Sequence, residues 1–130
     1  MDTRSKILTP AEAIETAGRL RNEGKTTKLV TGCFDPLLSA HAQRLKMIRD
    51  GAAVLIVVIV EPEQPLMTAR ARAELVAGLA DVDYVVIPDA GGLPALLAQV
   101  PASVVTREEA LHDELKRELI LHVQARQRTV

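Results

Sequence analysis

The run Ala53-Val54-Leu55-Ile56-Val57-Val58-Ile59-Val60 shows no alternation of apolar and polar positions. Continuous β-branched residues at this length predict a strand covered on both faces, as in the centre of a parallel sheet. Lys28 to Cys33 is a shorter β-rich run closed by a glycine, Val82 to Ile87 reads as a third strand, and Ser103 to Thr106 as a fourth. Helical stretches separate them. Thr9-Pro10-Ala11-Glu12 has the form of a capping box with proline at the first helical position, which predicts a helix from Pro10 to about Asn22, ended by Gly24. Ala40 to Arg49 follows the first strand with Leu45 and Ile48 turned inward, and Thr68 caps a helix reaching Leu79. Gly91-Gly92 opens a short helix over Leu93 to Gln99, and Arg107 to Gln127 forms a long final helix.

Regular alternation of strand and helix predicts an α/β fold: a Rossmann-like, doubly wound parallel sheet of about four to five strands with right-handed crossovers and flanking helices. With no repeat, low-complexity tract or linker, residues 1–130 are expected to form a single domain, with 1–8 a flexible amino terminus. Ligands of such sheets bind beyond the carboxyl ends of the strands, and Gly32 to His41 lies at that edge.

In the final helix Leu111, Leu115, Leu119 and His122/Val123 recur at helical spacing, with Ile120 and Leu121 widening the stripe. Burial on the domain's own sheet is the first expectation and a partner contact the second. His112 and His122 do not share a face as a metal pair, and no cysteine or acidic cluster completes a site, so no metal is assigned. Asp113 and Arg117 stand at the favourable acid-first spacing, a small local stabiliser.

Composition narrows the function classes. The 130 residues are 48% hydrophobic, enough to bury a core unaided. Sixteen basic against seventeen acidic residues leave a net charge of −1, without the footprint of a nucleic-acid or anionic-membrane binder. Aromatic residues at 2% offer no stacking platform for single strands. Neither nucleic acid nor membrane is therefore expected as a partner. One cysteine excludes an internal disulfide and, with a polar amino terminus and no membrane-length apolar run, leads to a cytoplasmic expectation.

The chemistry concentrates in Gly32-Cys33-Phe34-Asp35-Pro36-Leu37-Leu38-Ser39-Ala40-His41. This decapeptide resembles the G-C-F-D-x-L-H-x-G-H signature of cytidylyltransferase-like nucleotidyltransferases. Leu20 to Lys25, Arg70 to Val76 and Val82 to Val86 are similar to further segments of the bacterial heptose-phosphate and glycerol-3-phosphate members, in the same order. The resemblance covers roughly 10–89. It implies transfer of a nucleoside monophosphate from CTP or ATP to a sugar or alditol phosphate, with release of pyrophosphate, Mg²⁺ where the enzyme is active, and a homodimer. It also implies nucleotide contacts from Gly32, Cys33, Phe34, Asp35, His41 and Arg72, with His41 as the catalytic residue. Such transfer proceeds without a covalent intermediate, by positioning and by neutralising charge on the phosphate oxygens.

The departures fall on phosphate-contacting positions. Leu38 replaces the first histidine, Ala40 the glycine, Gln64 an arginine and Thr106-Arg107 a lysine-glycine pair. The closing serine/threonine-rich segment has no counterpart before Val130. Loss of one such donor typically costs about 10²- to 10³-fold in rate. Each remaining residue also has a structural reading: His41 as a helix-capping residue, Asp35 as a turn residue, Cys33 as a small buried hydrophobe, Arg72 as a solvated helix side chain. Three classes stay open, in this order. The first is a family member with weak or no transfer activity that binds a nucleotide or phosphorylated small molecule. The second is a slow nucleotidyltransferase using His41, and the third a non-catalytic interaction module.

Overall fold

The computed structural model describes residues 2–101 and 104–128. Five strands, β1 (Ile7–Leu8), β2 (Thr27–Gly32), β3 (Val54–Ile59), β4 (Tyr84–Val86) and β5 (Val105–Arg107), form one sheet in the order β1-β4-β3-β2-β5. Every pairing is parallel. The helices are α1 (Pro10–Asn22), α2 (Ser39–Arg49), α3 (Ala69–Ala77), α4 (Leu93–Leu97) and α5 (Glu109–Arg128). The fold is the Rossmann-like α/β arrangement read from the chain.

The unbroken apolar run of β3 has a direct physical counterpart. Leu55, Val57 and Ile59 enter one core with Val30, Phe34, Leu45, Ala73 and Val76, while Val54, Ile56 and Val58 enter a second core with Leu20, Leu29, Val86 and Leu96. Both faces of the strand are covered, so both parities must be apolar. α1 starts at the capping box: Thr9 Oγ1 accepts from the Glu12 amide, and Glu12 Oε1 accepts from the Thr9 amide. Thr68 caps α3 through its hydroxyl at the Ala71 amide.

Boundaries shift where side chains take over from the ladder. The strand expected over Val82 to Ile87 is confined to Tyr84–Val86, because Val82 still closes the α3 exit turn on Leu79 and the Asp83 carboxylate takes the Leu55 amide. The last strand begins at Val105; Ser103 lies outside the described residues.

The expectation of flexible residues 1–8 is corrected for the described part of that segment. Thr3–Lys6 form a 3-10 turn capped by Asp2, and Ile7 and Leu8 pair with Val85 and Val86 at the sheet edge. Lys6 Nζ donates to the carbonyls of Leu79 and Val82 at 3.1 and 2.7 Å, tying the lead to the α3 exit. Two apolar residues could not signal an edge strand by periodicity alone.

The strand order places the topological switch between β2 and β5. From β2 the chain winds outward through β3 to β4, then returns across the sheet to β5 on the other side of β2. The crevice at the carboxyl ends of β2 and β5 is where α/β sheets hold ligands. Among the described residues, no helix is long and apolar enough to cross a membrane.

Candidate functional site

β2 ends at Gly32, and the next residues turn sharply. Phe34 has φ 50°, in the left-handed region, and the Asp35-Pro36 bond is cis. A turn of this kind can point successive backbone N–H groups at one spot, an anion-binding concavity. Here the Cys33 and Phe34 amides converge on one acceptor, Nδ1 of His112, at 3.0 and 3.3 Å. His112 lies in the first turn of α5, and its imidazole fills the space beside Gly32. A Cβ on Gly32 would lie 2.5 Å from His112 Nδ1 and 2.9 Å from Phe34 Cε2. Gly32, for which the resemblance implies a nucleotide contact, thus admits an imidazole from this same chain.

His41 lies beside it. Its ring centroid is 4.3 Å from that of His112 and 5.6 Å from that of Phe34, with the His112 and Phe34 centroids 4.4 Å apart. His41 Nδ1 accepts from the Leu38 amide at 2.8 Å, so the imidazole caps α2, whose N-cap Leu38 supplies no side-chain hydrogen bond. With Nδ1 accepting, the proton of a neutral ring belongs on Nε2. That atom is buried without a hydrogen-bond partner. Burial lowers the pKa of His41 from its ordinary value. Burial, then His41 and Arg44, takes His112 down to about 3. Both rings are neutral at ordinary pH.

Asp35 is 3% exposed and fully engaged. Its oxygens accept from the Leu66 and Met67 amides at 2.8 and 2.9 Å and from Lys116 Nζ at 2.8 Å. Burial raises its pKa, but the ammonium and the two amides outweigh burial and hold the carboxyl below the usual range. Lys116 also donates to the Gln64 carbonyl at 2.7 Å, so one α5 side chain fastens both the turn and the loop after β3. A carboxylate carrying an ammonium and two amides does not fit an Mg²⁺ ligand.

Arg72 is fully buried, which corrects the picture of a solvated helix side chain. Its guanidinium donates to the carbonyls of Met67, Cys33 and Val60 and to Glu61 Oε1, at 2.9–3.1 Å. Those partners lie at the ends of β2 and β3 and at the entry to α3, so Arg72 works as a clamp across them. Cys33 is buried, and burial raises its thiol to about 11, outside the reactive range.

The structure therefore gathers Gly32, Cys33, Phe34, Asp35 and His41 at one edge and sets Arg72 behind them. It also adds residues that had no role at this site in the sequence reading, His112 having been weighed only as a metal partner of His122. His112 and Lys116 were accessible as an i, i+4 pair on α5, but the leucine stripe beside them dominated the pattern. Glu108 is 6% exposed, receives Arg44 from α2, and donates its amide to the Thr31 carbonyl at 2.9 Å. It locks α2 and β2 to the start of α5. The leucine stripe divides. Leu111, Leu115 and Leu119 are half-buried, whereas Ile120, Leu121 and Val123 are exposed.

Outside this packed centre is an open cleft of about 660 Å³ between the loop after β3 and α5. Its charged lining is Glu61, Glu63, Glu109 and Asp113 against Lys116 and Arg117. These charges are largely paired: Arg117 with Asp113 at 3.2 Å, Glu61 with Arg72 at 2.9 Å, Glu109 with Arg107 at 3.2 Å and Lys116 with Asp35 at 2.8 Å.

A five-stranded parallel sheet with a glycine turn and a histidine-bearing helix at its switch point is the architecture of a Rossmann-like α/β protein. Over 128 residues the chain is 27% identical to the bifunctional protein HldE of Desulfatibacillum aliphaticivorans, covering 86% of this chain and 26% of that protein. It is 31% identical over 118 residues to the bifunctional protein HldE of Acidiphilium cryptum, covering 83% of this chain and 24% of that protein. Taken with the motif and its place on the fold, these similarities put the chain in the cytidylyltransferase-like nucleotidyltransferase family. It spans about a quarter of the length of these relatives, and no family profile matches it.

Proposed function

We propose that this chain is a nucleotidyltransferase-family domain with weak or no transfer activity, whose β2 turn serves as a site for a phosphate-bearing small molecule. The observation that carries this reading is the engagement of the motif by the protein itself. Leu38 offers no donor, the Cys33 and Phe34 amides already bond His112, and Arg72 and Asp35 are committed to internal partners. Triphosphate transfer needs donors that are free to follow charge into the transition state. In favour of retained phosphate binding stands His41 Nε2, a buried donor without a partner.

The test is pyrophosphate release from CTP or ATP with heptose 1-phosphate or glycerol 3-phosphate and Mg²⁺. The expected result is no release above the protein-free rate. Turnover that disappears in His41→Ala would instead establish the slow enzyme.

A further inference from the structure

We propose that His112 is a built-in occupant of the phosphate nest, and that a ligand carrying a single phosphate group binds by displacing it. The inference rests on the reading of the β2 turn as a phosphate site. Two consecutive amides meeting on one acceptor is the geometry of an oxyanion contact. The acceptor that fills it comes from a helix 79 residues further along the chain, at 3.0 Å from Cys33 N and 3.3 Å from Phe34 N. Gly32 gives the ring its room, since a side chain there would overlap the imidazole.

The occupant is a weaker partner for these amides than the ligand it replaces. A neutral imidazole nitrogen accepts without formal charge, whereas bonds to an oxyanion are charge-assisted and about twice as strong. The imidazole also leaves the neighbouring His41 Nε2 proton unmatched in a buried setting. A phosphate group has several acceptor oxygens and can take both amides and this donor together. Balanced charge around the nest limits what enters. Lys116 is held by Asp35 and Arg44 by Glu108, so neither cation is free to neutralise a long polyanion. Inorganic phosphate or a phosphomonoester fits these terms, and a nucleoside triphosphate does not.

The experiment is an NMR titration of the isotope-labelled full chain with inorganic phosphate and, separately, with CTP. The expected result is that the Cys33 and Phe34 amides and the His112 ring nitrogens shift with one shared midpoint for phosphate, and that CTP binds more weakly. His112→Ala should bind phosphate about tenfold tighter, since it removes a competing contact of about 1.4 kcal/mol. His112→Asn, which keeps an acceptor near the Nδ1 position, should remain close to the unaltered protein. A folded His112→Ala with unchanged phosphate affinity overturns the inference. Should that variant fail to fold, the unaltered protein decides the matter: amide shifts without movement of His112, or no shifts at all, overturn it equally. Pyrophosphate release in the transfer assay counts against the silent-site reading alone and leaves the His112 result to stand or fall separately.

Discussion

Two stretches of the same sheet edge end very differently. At the carboxyl ends of β2 and β5 the space next to the turn is filled, and the cleft of about 660 Å³ lies outside it: His112, Lys116 and Glu108 come down from the start of α5 and take up the turn amides, Asp35 and Arg44. At the ends of β3 and β4 an open cleft of about 410 Å³ remains, bordered by Val60, Ala69, Ile87 and the exposed Asp89. Both edges have the same strand type and direction. What differs is the element that follows. β5 leads at once into a 20-residue helix whose first turns cross the neighbouring strand end, whereas β4 leads into a glycine turn and a short helix that stays aside. Topology prepares a crevice, and side chains from the next element decide whether it stays open.

The sharpest break in this contrast is expected at the two aspartates. Asp35→Ala would leave Lys116 without its carboxylate and two amides unmatched in a buried setting, at a cost of about 3 to 5 kcal/mol in urea unfolding. Asp89→Ala at the open edge should change stability by less than about 0.5 kcal/mol. Equal losses at both positions would show that the filled edge is not specially knit.

Gly32→Ala comes next, since its methyl group meets the His112 ring. The expected destabilisation is about 1 to 3 kcal/mol. In a His112→Ala background the penalty should shrink, and a thermodynamic cycle measures that coupling. Simple additivity would mean that Gly32 is required by its backbone and not by the imidazole.

A smaller effect is expected from pH. His112 drops from 6.5 to about 3 on folding, and burial moves His41 in the same direction. A histidine whose pKa falls on folding binds its proton more tightly in the unfolded chain. Its stabilising contribution is therefore complete above 6.5 and is lost as pH falls below that value. The His112 ring should remove about 1.4 kcal/mol per pH unit between about 6 and its folded value of about 3, and His41 adds in the same direction. Chemical denaturation at pH 7.5, 6.5 and 5.5 reads the slope, which His112→Asn should reduce.

The smallest effect is expected at the far end of α5, where Leu121 is 59% exposed. Leu121→Glu should leave monomer stability within about 0.5 kcal/mol. The family resemblance implies a dimer, and sedimentation of both forms asks whether this face joins the two copies. A dimer that falls apart on this change would give α5 one role at each end.

Much of the fold could be read along the chain, because its signals are local or periodic. The non-alternating β3, the Thr9/Glu12 box and the Thr68 cap each state their own structure within a few residues. Ile7 and Leu8 were missed because a two-residue strand carries no period and gains its meaning only beside Val85 and Val86. The structural alternative for Arg72, a solvated side chain, failed for a related reason. On a helix of mixed composition an arginine looks solvated, and only the meeting of two strand ends with the α3 entry supplies the carbonyls that bury it.

By itself, the sequence determined the family, the parallel α/β architecture and the position of the turn from Gly32 to His41. It also showed that Leu38 lacks a donor, because that is a property of one residue. What occupies the turn was decided only by the tertiary structure. His112 and Lys116 lie about eighty residues from Cys33 and Asp35, and no local pattern links them. They meet because the switch in strand order sets β5 beside β2 and so carries the first turns of α5 across the amides that the motif prepares.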